Sequence, residues 1–307
     1  MKFIIVVVPV LLILCIQNVF AFNQADSSRH GQQKHSLHKV VIDAGHGGKD
    51  YGTSGKMSHE KDVALAVALK LEKTINESLP ELEVYMTRTT DVFDHVTIKA
   101  KKANAVKGDL FISIHCNEAP AIHHSEIIGY HTKTYKKKGK KYTKQVPEYK
   151  TWTTPSLVKG TETYLWGVAK TGQKEEALIE NGFFALDSAN DKELSNFDPN
   201  DPTQRVSISL RVQQYAERSR NLALTVEDEF VKSGRNSRGA KQRDEKGIWV
   251  LQAVNMPAIL IEIGFLSNPE EEEYLNSDQG QQEVCDGIVR ALKRYKYSLD
   301  NKMSGNN

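Results

Sequence analysis

Short apolar runs that end in glycine or a polar residue, separated by helix-length stretches, constrain this chain most. Lys39–Asp43 is such a run, and it meets Ala44-Gly-His-Gly-Gly48, a strand entering a glycine-rich turn. Ser58 can cap a helix that starts near His59, and the almost wholly apolar Val63–Leu71 predicts that this helix is buried against a sheet. Glu83–Thr87 reads as a second strand, Thr97–Val106 as a helix, and Asp109–His115 as a third strand. Farther on, Thr161–Val168, Ile248–Leu251 and Ala258–Ile263 read as strands, and Lys174–Glu180 and Gln281–Tyr295 as helices. Val206–Val231 predicts a long amphipathic helix with Leu210, Val212, Tyr215, Leu222, Leu224 and Val226 as its apolar positions. Such alternation predicts an α/β fold: a twisted, mostly parallel or mixed sheet with helices on both faces.

The amino terminus is of a different kind. Lys2 precedes an apolar core, Phe3–Ile16, and small residues stand at Val19 and Ala21. This is the pattern of a secretory signal peptide, residues 1–21, cut after Ala21. The apolar run is short for a membrane span. Leu14 stands before Cys15, where a lipoprotein signal needs a small residue. The expected product is exported to a periplasm, the medium or the cell wall, with no stable membrane anchor. Residues 22–38 are polar and read as a linker, and residues 298–307 as a polar tail. Cys116 and Cys285 are then the remaining cysteines, too few for a disulfide scaffold. With 41 Lys and Arg against 39 Asp and Glu, nothing global favours a nucleic-acid partner.

Four polar residues stand where such a fold builds sites. His46 and His115 follow or end strands, Glu262 lies inside an apolar one, and Glu60 opens a helix. Two histidines and a carboxylate are a common ligand set for a catalytic zinc ion, and a further carboxylate can act as proton acceptor. Each residue also has a plainer reading. His46 fits a surface turn, Glu60 suits a helix dipole, and Glu262 fits an ion pair with an arginine. His59 is a rival ligand that projects about 100° away around the helix. On alternation Cys116 points away from His115 and reads as a small buried hydrophobe.

The surroundings of these residues resemble a known family. Val41-Ile-Asp-Ala-Gly-His-Gly-Gly48, Phe111-Ile-Ser-Ile-His-Cys-Asn117 and Pro257-Ala-Ile-Leu-Ile-Glu-Ile-Gly-Phe-Leu-Ser-Asn268 resemble the signature segments of zinc-dependent N-acetylmuramoyl-L-alanine amidases, the amidase-3 type of cell-wall hydrolase. Thr87-Arg-Thr-Thr-Asp91 and Ala103-Asn104 extend the likeness. The resemblance implies one Zn²⁺ held by His46, Glu60 and His115, with Glu262 as the catalytic carboxylate. It also implies peptidoglycan as substrate, cut between N-acetylmuramic acid and L-alanine during wall remodelling or daughter-cell separation. The histidines must be neutral to bind metal, so activity should fall in acid. A zinc peptidase on stem peptides and a catalytically silent wall-binding or regulatory homologue are the competing readings. Lys99 stands where the family usually has arginine, which puts a local salt bridge in question.

The catalytic domain is expected over residues 39–297, with an insertion after the third strand at residues 118–159. Eight lysines lie within residues 131–150, which reads as a solvated hairpin, or as an attractor of anionic wall polymers or membrane surface. Glu162 and Asn117 are expected near the site. Residues 170–205 form a second variable region. By resemblance to members with an occluding helix, Glu175, Glu176 and Glu180 are candidates for an autoinhibitory plug over the metal, which a protein activator would relieve.

Overall fold

The structure is a computed structural model that describes residues 37–180, 198, 201–243 and 246–304. The expected signal peptide, all but the last two residues of the expected linker, and residues 181–197 lie outside the described residues. Eight strands are present among them: β1 (Lys39–Ala44), β2 (Glu83–Met86), β3 (Leu110–Asn117), β4 (Ile122–Lys137), β5 (Lys140–Thr154), β6 (Thr161–Leu165), β7 (Ser237–Gln242) and β8 (Ala258–Phe265). Six of them make one sheet in the order β2-β1-β3-β8-β6-β7, and β4 and β5 form a separate two-stranded ribbon. Neighbours are parallel except β6, which runs antiparallel to β8. The helices are α1 (Glu60–Ser78), α2 (Val96–Ala105), α3 (Thr171–Glu180), α4 (Pro202–Lys232), α5 (Trp249–Ala253), α6 (Pro269–Asn276) and α7 (Asp278–Ser304). None of the described helices is long and apolar enough to cross a membrane.

Alternation along β3 divides the core. Leu110, Ile112, Ile114 and Cys116 face a cluster that includes Val67 and Leu71 of α1, Ile288 and Leu292 of α7, and Val226 of α4. Phe111 faces a second cluster with Ala100 of α2, Leu178 of α3, Val212 of α4 and Leu251 of α5. Each fully buried aliphatic or aromatic side chain contributes roughly 1.5–3 kcal/mol. Helices therefore cover both faces, as the alternating pattern predicts, and α4 contributes to both. Midway along it the Ser219 hydroxyl accepts from the Ala258 amide at the foot of β8.

Several local expectations are corrected. Ile248–Leu251 is not a strand: Ile248 caps the short helix α5. The buried Lys174 ammonium accounts for this, because it donates to the carbonyls of Leu251, Val254 and Met256 and so satisfies the end of that turn. The sheet edge is instead β7, a polar segment with no apolar alternation to announce it. Leu210 and Leu224 of α4 are half exposed, at 53% and 50%, so its buried stripe runs through Val212, Tyr215, Leu222 and Val226. Ser58 does not cap α1: His59 holds that position, and the Ser58 hydroxyl donates to Glu272 instead. At the other end of the chain, α7 continues to Ser304, past the start of the expected tail.

Candidate metal centre and active site

His46 leaves β1 through a tight turn in which its own φ is 55°, a left-handed value uncommon for a residue with a side chain. Arg88 holds this turn in place: its guanidinium donates to the carbonyls of Ala44, Gly45 and Lys61. Asp91 completes the clamp by accepting from the Gly48 amide and the Lys61 ammonium. The Thr87–Asp91 segment thus shapes the loop that presents His46. Two glycines make room for the site. A Cβ on Gly45 would lie 2.6 Å from the His115 ring, and one on Gly52, at φ +64°, would lie 2.4 Å from Glu60 Oε2.

Glu60 and His115 arrive from opposite directions. Glu60 is the first residue of α1, and its carboxylate accepts from the amides of Thr53 (2.8 Å) and Cys116 (3.0 Å). His115 comes from β3, with Nδ1 2.8 Å from Glu60 Oε1, while His46 Nε2 is 3.1 Å from Glu60 Oε2. One donor atom from each of His46, Glu60 and His115 lies within 4.8 Å of the others, so the three could hold a metal ion. The chemistry of the set fits one. Glu60 is 4% exposed, and its ion-pair partners among the described residues are those two histidines. Two imidazole nitrogens and a buried carboxylate oxygen suit a zinc-like cation. Burial would raise the Glu60 pKa, but bonding to His115 and His46 overcomes it and holds the carboxyl well below the usual range. For His46 burial works downward, and the bonds to Glu60 and the nearby Asp50 outweigh it to raise the imidazole pKa.

Glu262 lies beside this group. It pairs in register with His115 on β3 and with Glu162 on β6, which sets the three side chains in one row on one face. Glu262 is 6% exposed, and its Oε2 is buried without a hydrogen-bond partner among the described residues. Oε1 lies 3.8 Å from Arg243 Nη2. Burial, only partly offset by His115, pushes the Glu262 carboxyl up to about 7. A carboxyl with that affinity can both take and give a proton near neutrality.

Glu162 has the opposite character. It accepts from Asn117 Nδ2 (2.8 Å), the Tyr164 hydroxyl (2.6 Å), Arg238 Nε (2.6 Å) and Lys241 Nζ (2.5 Å). Burial opposes ionisation, yet these donors hold its pKa at about 2, so it stays a fixed anion. Both expected neighbours of the site, Glu162 and Asn117, therefore sit in one network beside Glu262. Sequence reasoning missed Asp50, Arg238, Lys241 and Arg243. The signal for the last three is basic spacing on a segment that does not read as a strand.

The other expected residues fall elsewhere. His59 Nδ1 is 2.8 Å from the Ser54 hydroxyl, outside the ligand group. Cys116 is buried on the opposite face, as alternation predicts. Lys99 does make the salt bridge in question: Nζ is 3.0 Å from Asp43 Oδ1 and also donates to Ala44 O, and Thr87 and Ser113 complete the Asp43 carboxylate. None of the three plug candidates joins the ligand group. Glu175 accepts from Ser209 of α4, and Glu176 and Glu180 line a groove of about 540 Å³ with Lys101, Asn104 and Trp249. Their helix packs on α4 and α5, with Lys174 and Leu178 buried, and Glu176 and Glu180 face that groove.

The sequence matches the Amidase_3 family model, N-acetylmuramoyl-L-alanine amidase, over residues 40–201 and 207–294. N-acetylmuramoyl-L-alanine amidase AmiC of Escherichia coli O6:H1 is 29% identical over 259 residues, 83% of this chain and 52% of that protein. The endolysin of Bacillus phage SPP1 is 29% identical over 257 residues, 82% of this chain and 64% of that protein. The chain thus spans about half to two thirds of the length of these relatives. Among solved structures, the N-acetylmuramoyl-L-alanine amidase from Clostridium difficile 630 superposes with a TM-score of 0.53 at 26% identity, covering 85% of this chain and 97% of that one.

Proposed function

The chain belongs to the N-acetylmuramoyl-L-alanine amidase family, and from that premise we propose that it hydrolyses the amide joining the lactyl group of N-acetylmuramic acid to L-alanine in peptidoglycan. The observation that carries this reading is the pairing of two unlike sets on one face: a ligand group of His46, Glu60 and His115, and a buried, unpartnered Glu262 oxygen in register with His115. His46, Glu60 and His115 would hold one zinc ion. Such an ion, when bound, polarises a carbonyl oxygen and acidifies water.

The protein's own groups account for the proton traffic. Glu262 as carboxylate takes a proton at Oε2 from the attacking water. The resulting carboxyl then gives that proton to the departing alanine nitrogen as the C–N bond breaks. The products are the lactyl carboxylic acid and a free amine, and Glu262 returns to its starting state. A group held at about 7 suits both halves of this exchange. Arg243, across Glu262 Oε1 and over the Tyr164 ring at 4.5 Å, limits the turning of the carboxylate. The apolar amino-terminal segment and the family's substrate together favour an exported enzyme of cell-wall remodelling, with residues 39–297 as its catalytic domain. A protein activator fits the same setting.

The test is digestion of purified peptidoglycan, with products identified by mass spectrometry, with and without a chelator. Free stem peptides beginning with L-alanine, lost on chelation and restored by zinc, are expected. Shortened peptides still attached to muramic acid would establish a peptidase instead, and no release at all would favour a silent wall-binding homologue.

A further inference from the structure

The β4–β5 ribbon leaves the body between the strands that carry His115 and Glu162, and nearly all of its residues are exposed. A lone two-stranded ribbon is marginally stable in water, and soluble monomers seldom display large apolar patches. Yet Tyr130, Tyr135, Tyr142, Tyr149 and Trp152 are each 43–64% exposed. Register sorts these side chains. His124 stands opposite Trp152 and Tyr135 opposite Tyr142, and the even-numbered positions of β5 put both pairs on one face. Both pairs stack, at centroid distances of 5.2 Å and 5.7 Å. They lie about 34 Å apart along the ribbon, at ~3.4 Å per residue.

Charge follows an equally unusual pattern. Residues 122–154 hold eight lysines and two glutamates, a formal excess of six positive charges, against +2 for the entire chain. Three lysine pairs face each other directly across the strands: Lys133 with Lys144, Lys136 with Lys141, and Lys137 with Lys140. Like charges placed opposite one another destabilise a ribbon, and an anionic partner relieves that cost. The tip, Lys137-Lys138-Gly139-Lys140, has no apolar side chain to enter a bilayer.

We propose that this ribbon is an arm that docks the peptide-bearing glycan polymer on which the adjacent site acts. The stacked aromatic pairs lie against sugar rings, and the lysine pairs meet the carboxylates of the stem peptides. Because the arm is rooted on the strands of His115 and Glu162, a polymer held along it passes the mouth of the site. This inference rests on the reaction proposed above.

The experiment compares the full chain with the double variants Tyr135→Ser/Tyr142→Ser and Lys133→Gln/Lys144→Gln. Binding is read by co-sedimentation with insoluble peptidoglycan, with Glu262→Gln added to every form so that the polymer is not consumed. Turnover of a soluble muramoyl-peptide is read in the forms that keep Glu262. Each double variant should weaken polymer binding on the order of tenfold, the scale of losing an interface anchor, with unchanged circular dichroism and unchanged turnover of the soluble fragment. Polymer binding equal to that of the parent in both variants overturns the proposal. So does a loss confined to vesicles of phosphatidylglycerol, which would assign the arm to a lipid surface. Failure of the reaction itself is distinguishable, because it shows as no amine released by the chain with Glu262 intact, whereas sedimentation reads the arm alone.

Discussion

Glu162 and Glu262 face each other across β6 and β8, yet their surroundings give them opposite protonation behaviour. Four donors surround Glu162 and hold it anionic. Glu262 Oε2 has no hydrogen bond among the described residues, and burial raises its proton affinity to near neutrality. The contrast supports Glu262, not Glu162, as the carboxyl of the proposed proton transfers. Glu262→Gln keeps the shape and removes the exchangeable proton, so turnover should fall by about 10²–10⁴-fold. Metal content, measured on the purified variant by elemental analysis, should match the parent, because Glu262 is not one of the grouped ligands. Retained turnover would remove Glu262 from its proposed role. Of the four residues conspicuous in the sequence, three converge on one group and the fourth lies beside it. Chain position at strand ends and a helix start offered them as candidates, and the resemblance of the surrounding segments to a known family separated them from their plainer readings. The supporting Arg243 and Lys241 were missed, since their basic spacing by itself does not mark a strand.

At the scale of elements, α3 shows how burial overrides composition. Its sequence is charged, but Lys174 has no exposed surface and its ammonium bonds to carbonyls at and beyond the end of α5, with the Trp166 ring 5.0 Å away. Burial pushes that ammonium down from 10.5 to about 7. Between those values the unfolded chain binds the proton that the folded chain has released, so this group makes stability rise with pH from about 7 towards 10.5. Its contribution is lost as pH falls through that window. The slope from this one residue is at most about 1.4 kcal/mol per pH unit. Thermal unfolding of the parent and of Lys174→Met between pH 7 and 10 should show a shallower pH dependence in the variant. Equal slopes would place the ammonium in a better solvated setting than the one described. The same contact explains why Ile248–Leu251, strand-like by composition, is helical.

At the scale of the molecule, the sheet and the ribbon are separate structures joined at one edge of the site. The body draws on two buried clusters, while almost every residue of β4 and β5 is exposed. Ile122 and Thr154 are register partners at the root, close enough for a two-residue turn to join them. Replacing residues 123–153 by Gly-Gly should therefore leave the unfolding midpoint within about 2 °C of the parent, the range of surface changes in a chain this large. A collapse of the midpoint would show that the ribbon braces the body.

What could be read from the chain alone was short-range. Apolar runs placed β1, β3 and β8, a capping position with an apolar stretch placed α1, an amphipathic stripe placed α4, and the glycine turn, strand ends and first helical turn offered His46, His115, Glu262 and Glu60. These signals depend on residues within a few positions of each other. What needed the folded chain was the pairing of segments far apart in sequence. Register put Glu262 beside both His115 and Glu162, the polar β7 took the sheet edge, Lys174 reached the end of α5, and packing of α3 set Glu175 against Ser209 and Glu176 and Glu180 in a groove with Trp249. Local sequence leaves strand order and register open, because both follow from how distant apolar faces and buried charges find partners.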